Sequence, residues 1–149
     1  MSGLTPSEKK FEEHIEKHLN SLDYSSKNFN KYDRNLCLIK EQVIDFIKTT
    51  QPEKWGKLNE IYDLDIENKI LSRISSEISK RGIIDVLRNP VVDRGVYLDL
   101  CYFKPKSDLN PDHLRLYKSN QFTVVRQLHY STQNENSIDM VLFLNGLPI

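Results

Sequence analysis

The apolar positions of the chain recur first at helical and then at strand spacing. Phe11, Ile15, Leu19 and Leu22 follow one another at intervals of four, four and three, which predicts a helix from near Pro6, with Thr5 placed to cap it, to about Leu22. Residues 25–34 are polar and Asn-rich and read as a loop, and residues 36–39 read as a short strand. Val43, Ile44 and Ile47 predict a second, shorter helix, broken at Gln51-Pro52. Trp55, Leu58, Ile61 and Tyr62 fit another helical face. Ile66, Ile70, Leu71, Ile74 and Ile78 mark the clearest helix, running to about Lys80 with Gly82 placed to end it.

After Gly82 the period falls to two. Val96, Leu98, Leu100 and Tyr102 alternate with Tyr97, Asp99, Cys101 and Phe103, which predicts a strand over 96–103. A loop follows over 104–111. Phe122, Val124, Leu128 and Tyr130 mark a second strand, with Arg126 on the same face, and the apolar run Ile138–Leu144 reads as a central strand. Helices followed by strands predict an α/β or α+β domain, its N-terminal helices packed on a mixed sheet built from segments near 96–103, 121–130 and 138–144.

Asn145-Gly146 is a strong hairpin signal; as a two-residue loop it pairs residue 144 with 147 and sets 139 opposite about position 152. Only Leu147, Pro148 and Ile149 follow. Residues 1–149 are therefore expected to be the N-terminal part of a domain that is cut before its next strand.

Composition narrows the classes of function. Lys plus Arg and Asp plus Glu number 21 each, so the chain lacks the global basic field of a dedicated nucleic-acid module, and any DNA contact is expected to be local. Two cysteines, Cys37 and Cys101, make neither a disulfide framework nor a zinc motif, and both read as small buried hydrophobes. No apolar stretch approaches about 18 residues and no basic-then-apolar leader opens the chain; a cytoplasmic protein without a membrane partner is the expectation.

Few residues carry candidate chemistry. Asp139 is a lone carboxylate at the head of the apolar strand. A buried Asp is costly unless paired, hydrogen-bonded or metal-bound, so it is either a Mg²⁺ ligand or a strand-end residue capped by a loop. In the metal-dependent nuclease pattern Asp…(Asp/Glu)-x-Lys, the second acid and the lysine sit on the strand after the aspartate, which here would lie past Ile149. Arg126, Gln127 and His129 share one strand; Arg126 suits either a phosphate or a structural carboxylate, and Gln127 can approach the site. Lys104, Lys106, Arg115 and Lys118 read as a mildly basic, solvated loop. His14 and His18 have metal-ligand spacing, but His14-Ile15-Glu16-Lys17-His18 lacks the Glu after the first His that zinc proteases require, so they read as surface residues. Glu8, Glu12, Glu13 and Glu16 with Lys9, Lys10 and Lys17 read as a solvated helix face.

Several blocks together are similar to one family. They are Phe11-Glu12 with Ile15 and Leu19; Thr50-Gln51-Pro52 with Trp55; Arg81-Gly82-Ile83-Ile84-Asp85-Val86-Leu87-Arg88; Tyr102-Phe103-Lys104-Pro105 with Leu109-Asn110-Pro111; Asn120 through Arg126-Gln127-Leu128-His129-Tyr130-Ser131; and Ser137 through Pro148. In this order they resemble the N-terminal domain of type I restriction enzyme R subunits. The resemblance implies a restriction-endonuclease-like nuclease fold, incomplete here, followed by an ATP-driven motor outside this chain. It implies a parent that joins modification and specificity subunits and cleaves unmodified double-stranded DNA with Mg²⁺ and ATP. Asp139 matches the family's metal-binding aspartate and Glu12 an acidic position that faces the metal, so both are expected as catalytic metal ligands; Arg126 and Gln127 are expected at the DNA. The Glu-x-Lys of the strand after Asp139 is expected beyond Ile149, and the motor's ATP-binding loop is not in the chain, so it is expected not to cleave DNA alone. The competing expectation is a non-catalytic docking module of the same complex.

Overall fold

In the computed structural model, residues 6–22, 24–27, 32–107, 109–129 and 137–149 are described. The amphipathic segments form the expected helices: α1 (Pro6–Ser21), α2 (Lys40–Thr50), α3 (Pro52–Ile61) and α4 (Ile66–Arg81). Pro52 ends α2 and opens α3, because its fixed φ suits a first helical turn while its missing N–H cannot continue a helix. Gln51, at this joint, is buried; its Nε2 donates to the Asp99 carbonyl (2.8 Å) and its Oε1 accepts from the Asp99 N–H (2.8 Å). A side-chain amide thus replaces a strand ladder.

The period change falls later than Gly82. That residue ends α4 at φ 82°, and a further helix, α5 (Ile83–Arg88), follows at once. Arg81 ties the two together, with Nε on Glu77 (2.8 Å), Nη1 on Asp85 (2.7 Å) and Nη2 on the Pro90 carbonyl (3.2 Å).

The predicted strand 96–103 is shorter than expected and lies in a different sheet. Only β3 (Val96–Leu98) is extended in a ladder, antiparallel to β2 (Val91–Asp93), and the pair forms a two-stranded sheet of its own. Leu100 is buried and Tyr102 is held by Asn120, which accepts from its N–H and donates to its carbonyl. Arg115 and Lys118, expected in a loop, lie on α6 (Pro111–Lys118), which the Asn110 side chain caps at the Asp112 N–H (3.0 Å).

The main sheet has the order β1-β4-β5-β6, with β1 (Tyr24–Lys27), β4 (Phe122–His129), β5 (Ser137–Leu144) and β6 (Leu147–Pro148). β1 runs parallel to β4, and the other neighbours are antiparallel, so the sheet is mixed and the fold α+β. At 25–27, β1 overturns the loop expected over 25–34, while 28–31 lie outside the described residues. β1 is an edge strand whose Ser25 and Ser26 are exposed, and its contacts include Tyr24 on Phe122 (ring centroids 5.1 Å) and Ser25 Oγ near Thr123 Oγ1 (3.4 Å). The strand expected over 36–39 is instead a turn closed by a single Asp33–Leu38 bridge. Cys37 sits in that turn at φ 60° and is exposed, not buried.

The larger core joins α2, α3, α4 and α5 to the β2–β3 pair through Val43, Ile47, Leu58, Ile70, Ile74 and Leu98, and reaches the main sheet at Leu144 and Leu147. Burying each such side chain contributes roughly 1.5–3 kcal/mol. A smaller cluster, Ile39, Val125 and Phe143 with Tyr32 and Val141, includes β4 and β5 residues. The Asn145-Gly146 hairpin joins sheet and helices. Both residues have positive φ, 54° and 89°, the type I′ pattern, and Leu144 pairs with Leu147 as the sequence predicts. The Gly146 carbonyl accepts from the Ile39 N–H (2.9 Å) at the start of α2. Asn145, buried, donates from Nδ2 to the Leu100 carbonyl and to Asn120 Oδ1 (2.9 Å each), and its Oδ1 accepts from the Gln121 N–H (2.7 Å).

Candidate functional site

β5, paired with β4 over its length and with β6 only at Phe143 and Leu144, is where the chain holds Asp139. The register is Arg126↔Met140 before it and Leu128↔Ile138 after it, so backbone position 127 is the counterpart of position 139. The side chains of Glu12, Gln127 and Asp139 lie outside the described residues, as does the connection 130–136. The expected proximity of Glu12 and Asp139 falls there too.

Arg126 is described. Its Nη1 stands 3.4 Å from Glu16 Oε1, with the two side chains 20% and 23% exposed. Of the two roles that suit Arg126, a structural carboxylate partner is present. The ion pair ties α1 to β4 and brings the helix that carries Glu12 against the sheet that carries Asp139. Glu16 lies one helical turn beyond Glu12, because residues four apart stack on one helix face. Partial burial strengthens the attraction within such a pair but also raises its desolvation cost, so its main effect is to fix the position of α1.

Glu16 is the residue that sequence reasoning missed, since it was grouped with the solvated charges. A usable signal existed: it adjoins Ile15 and stands three before Leu19, on the border of the apolar stripe. The structure agrees, with Ile15, Glu16 and Leu19 half-buried while Glu13, His14, Lys17 and His18 are exposed. The histidines are thus surface residues, as read.

Among the described residues, no group of three or more His, Cys, Asp or Glu is placed to hold a metal ion. Cys101 is half-buried and its thiol is pushed up to about 11 by burial, which makes it a poor nucleophile. Lys104 and Lys106 are exposed, and Arg115 stands 3.9 Å from Asp112 one turn earlier in α6. No helix among the described residues is long and apolar enough to cross a membrane.

A family model described as the type I restriction enzyme R protein N terminus matches residues 5–149. Comparison with curated proteins and with solved structures gave no match.

Proposed function

The chain belongs to the family of type I restriction enzyme R protein N termini, and from that premise we propose that it carries one half of a Mg²⁺-dependent nuclease site. The observation that carries the reading is the position of Asp139 on β5, next to the strand that α1 is tied to through Glu16 and Arg126. Asp139 and Glu12 would hold the metal. The donor set suits the ion, because Mg²⁺ takes carboxylate oxygen. When bound, Mg²⁺ polarises the phosphate and activates water. β6 opens the strand on which the second acid and the lysine of the nuclease pattern belong; continuing the Leu144↔Leu147 register sets about residue 152 opposite Asp139.

The chain's own groups divide the remaining work. Gln127 is the β4 counterpart of position 139 and would meet the DNA next to the metal. Arg126 would contact a phosphate only by exchanging Glu16 for it. The parent, on this reading, is a cytoplasmic assembly with modification and specificity subunits that cuts unmodified double-stranded DNA, driven by an ATP-dependent motor outside this chain.

The test is Asp139→Ala in the full R subunit. Restriction of unmodified DNA should be lost while ATP hydrolysis continues. Restriction that survives would overturn the role of Asp139, and restriction lost together with subunit assembly would make the domain a docking module instead. The chain of residues 1–149 alone should not nick plasmid DNA in Mg²⁺, since the second acid and the lysine of the nuclease pattern do not follow Asp139 within it.

A further inference from the structure

A second surface gathers positive charge away from β4 and β5. Tyr62, just after α3, is half-buried, and its hydroxyl donates to the Asp93 carboxylate, lying 2.9 Å from each oxygen. Asp93 is itself buried at the end of β2, so this bond fixes the orientation of the ring. Two cations lie against that ring: Lys69 Nζ is 5.0 Å and Arg94 Cζ 5.5 Å from its centre. The two charges are therefore within about 10.5 Å of each other. Both side chains are exposed, and neither makes an ion pair among the described residues. With Arg73 and Asp65 they line an open cavity of about 480 Å³ between α4 and the β2–β3 turn.

Arg94 holds its place at a conformational cost. It is the first central residue of a two-residue hairpin, at φ 51° with Gly95 at φ 80°. That position favours Asn, Asp or Gly, and a long side chain there is strained. The turn would be more stable with Asn. What an arginine adds here is its charge, set against the Tyr62 ring.

We propose that Tyr62, Lys69 and Arg94 form a contact site for phosphate groups, supplied by the backbone of duplex DNA. Like-charged side chains brought to one ring repel each other; Asp65 and Asp93, which line the same cavity, offset part of that repulsion, and a phosphate oxygen would offset more. Tyr62 acts as a platform that holds the two cations through its ring face. Arg73 does not join them freely, being bonded to the Val92 carbonyl (3.1 Å) and to Glu77 (3.1 Å). The site reads no base sequence, since phosphate contacts position a protein on DNA without specifying it. It rests on the nuclease reading only for the source of the phosphate.

The experiment measures binding of the chain to a labelled duplex of about 20 base pairs by fluorescence anisotropy, across roughly 50–200 mM salt. Lys69→Gln and Arg94→Asn should each weaken binding several-fold and lower the slope of log affinity against log salt by about 1. Arg94→Asn should also raise Tm, which separates lost charge from lost structure. Inorganic phosphate and ATP are titrated in parallel while the Lys69 and Arg94 side-chain signals are followed by NMR. Response to duplex with none to these small anions confirms DNA as the source; response to the small anions alone confirms the phosphate site and overturns DNA. Wild-type affinity and slope in both variants, or no duplex binding by the chain at low salt, overturns the proposal. The niche shares no residue with β4 or β5, so cleavage lost at Asp139 and affinity lost at Lys69 are separate results.

Discussion

Replacing Gly146 by Ala tests how tightly the hairpin is built into the helices. A Cβ on Gly146 would stand 2.5 Å from Val43 Cγ2, 2.8 Å from the Ile39 carbonyl oxygen and 2.9 Å from the Val43 N. Two of the three are backbone atoms at the start of α2, which cannot rotate away. Alanine at φ 89° costs roughly 1–2 kcal/mol in backbone strain. Overpacking against a fixed backbone costs about 1–3 kcal/mol, and displacing α2 weakens the bond from the Ile39 N–H to the Gly146 carbonyl, worth roughly 1 kcal/mol. The expected loss is about 4 kcal/mol, a large part of the roughly 5–15 kcal/mol that holds a domain together. With a urea slope near 2 kcal/mol per M, the midpoint should fall by about 2 M, followed by Trp55 fluorescence. Gly95→Ala is the control. Its φ is 80°, yet a Cβ there meets nothing within 4 Å, so only the strain of about 1–2 kcal/mol remains. If the two substitutions cost the same within about 1 kcal/mol, the packing argument is wrong.

Other outcomes follow from single groups. Asn145→Ala removes three hydrogen bonds from a buried side chain and should destabilise the chain by about 3 kcal/mol in the same urea experiment. Arg81, then Asn89, hold the Asp85 carboxyl below its ordinary value. A depressed carboxyl contributes stability above its unfolded value, near 3.9, and loses it as pH falls through the lowered folded value. Asp85→Asn should therefore flatten the loss of stability below about pH 4, and an unchanged acid limb would show that the pair contributes nothing. Ellman's reagent at neutral pH should modify the exposed Cys37 quickly and the half-buried Cys101, whose thiol is pushed up to about 11, more slowly; equal rates would contradict the shielding of Cys101.

What the sequence disclosed was what burial writes into local spacing. α2 and α4 bury Val43, Ile47, Ile70 and Ile74 on one stripe, and β5 buries Phe143 and Leu144, so their periods were plain. Asn145-Gly146 was legible because few other residues take positive φ twice in a row. What was missed lacks such a stripe. α6 buries no residue, and α5 has only six. β1, Tyr-Ser-Ser-Lys, is an edge strand whose partner is far away in sequence. Residues 99–102 are held by the side chains of Gln51 and Asn120, which no spacing rule anticipates. At the candidate site, the strand under Asp139 was legible from its apolar neighbours. The Glu16–Arg126 pair was not, since 110 positions separate its members.

The parallel seam between β1 and β4 joins distant parts of the chain. β4 and β5 are joined by a short connection, whereas Ser25 meets Phe122 across 97 positions. Closing a loop that long carries an entropic cost of order (3/2)RT ln n before any contact rewards it. The described side chains of α1 and β1 are half-buried or exposed, so the amides of this unit should exchange sooner than those of α4 or β5. On the proposed reading this unit brings Glu12 to the metal. A cation held between α1 and β5 would bind only the docked state and so act as a clip across a long stretch of chain, turning occupancy of the site into stability of the N-terminus.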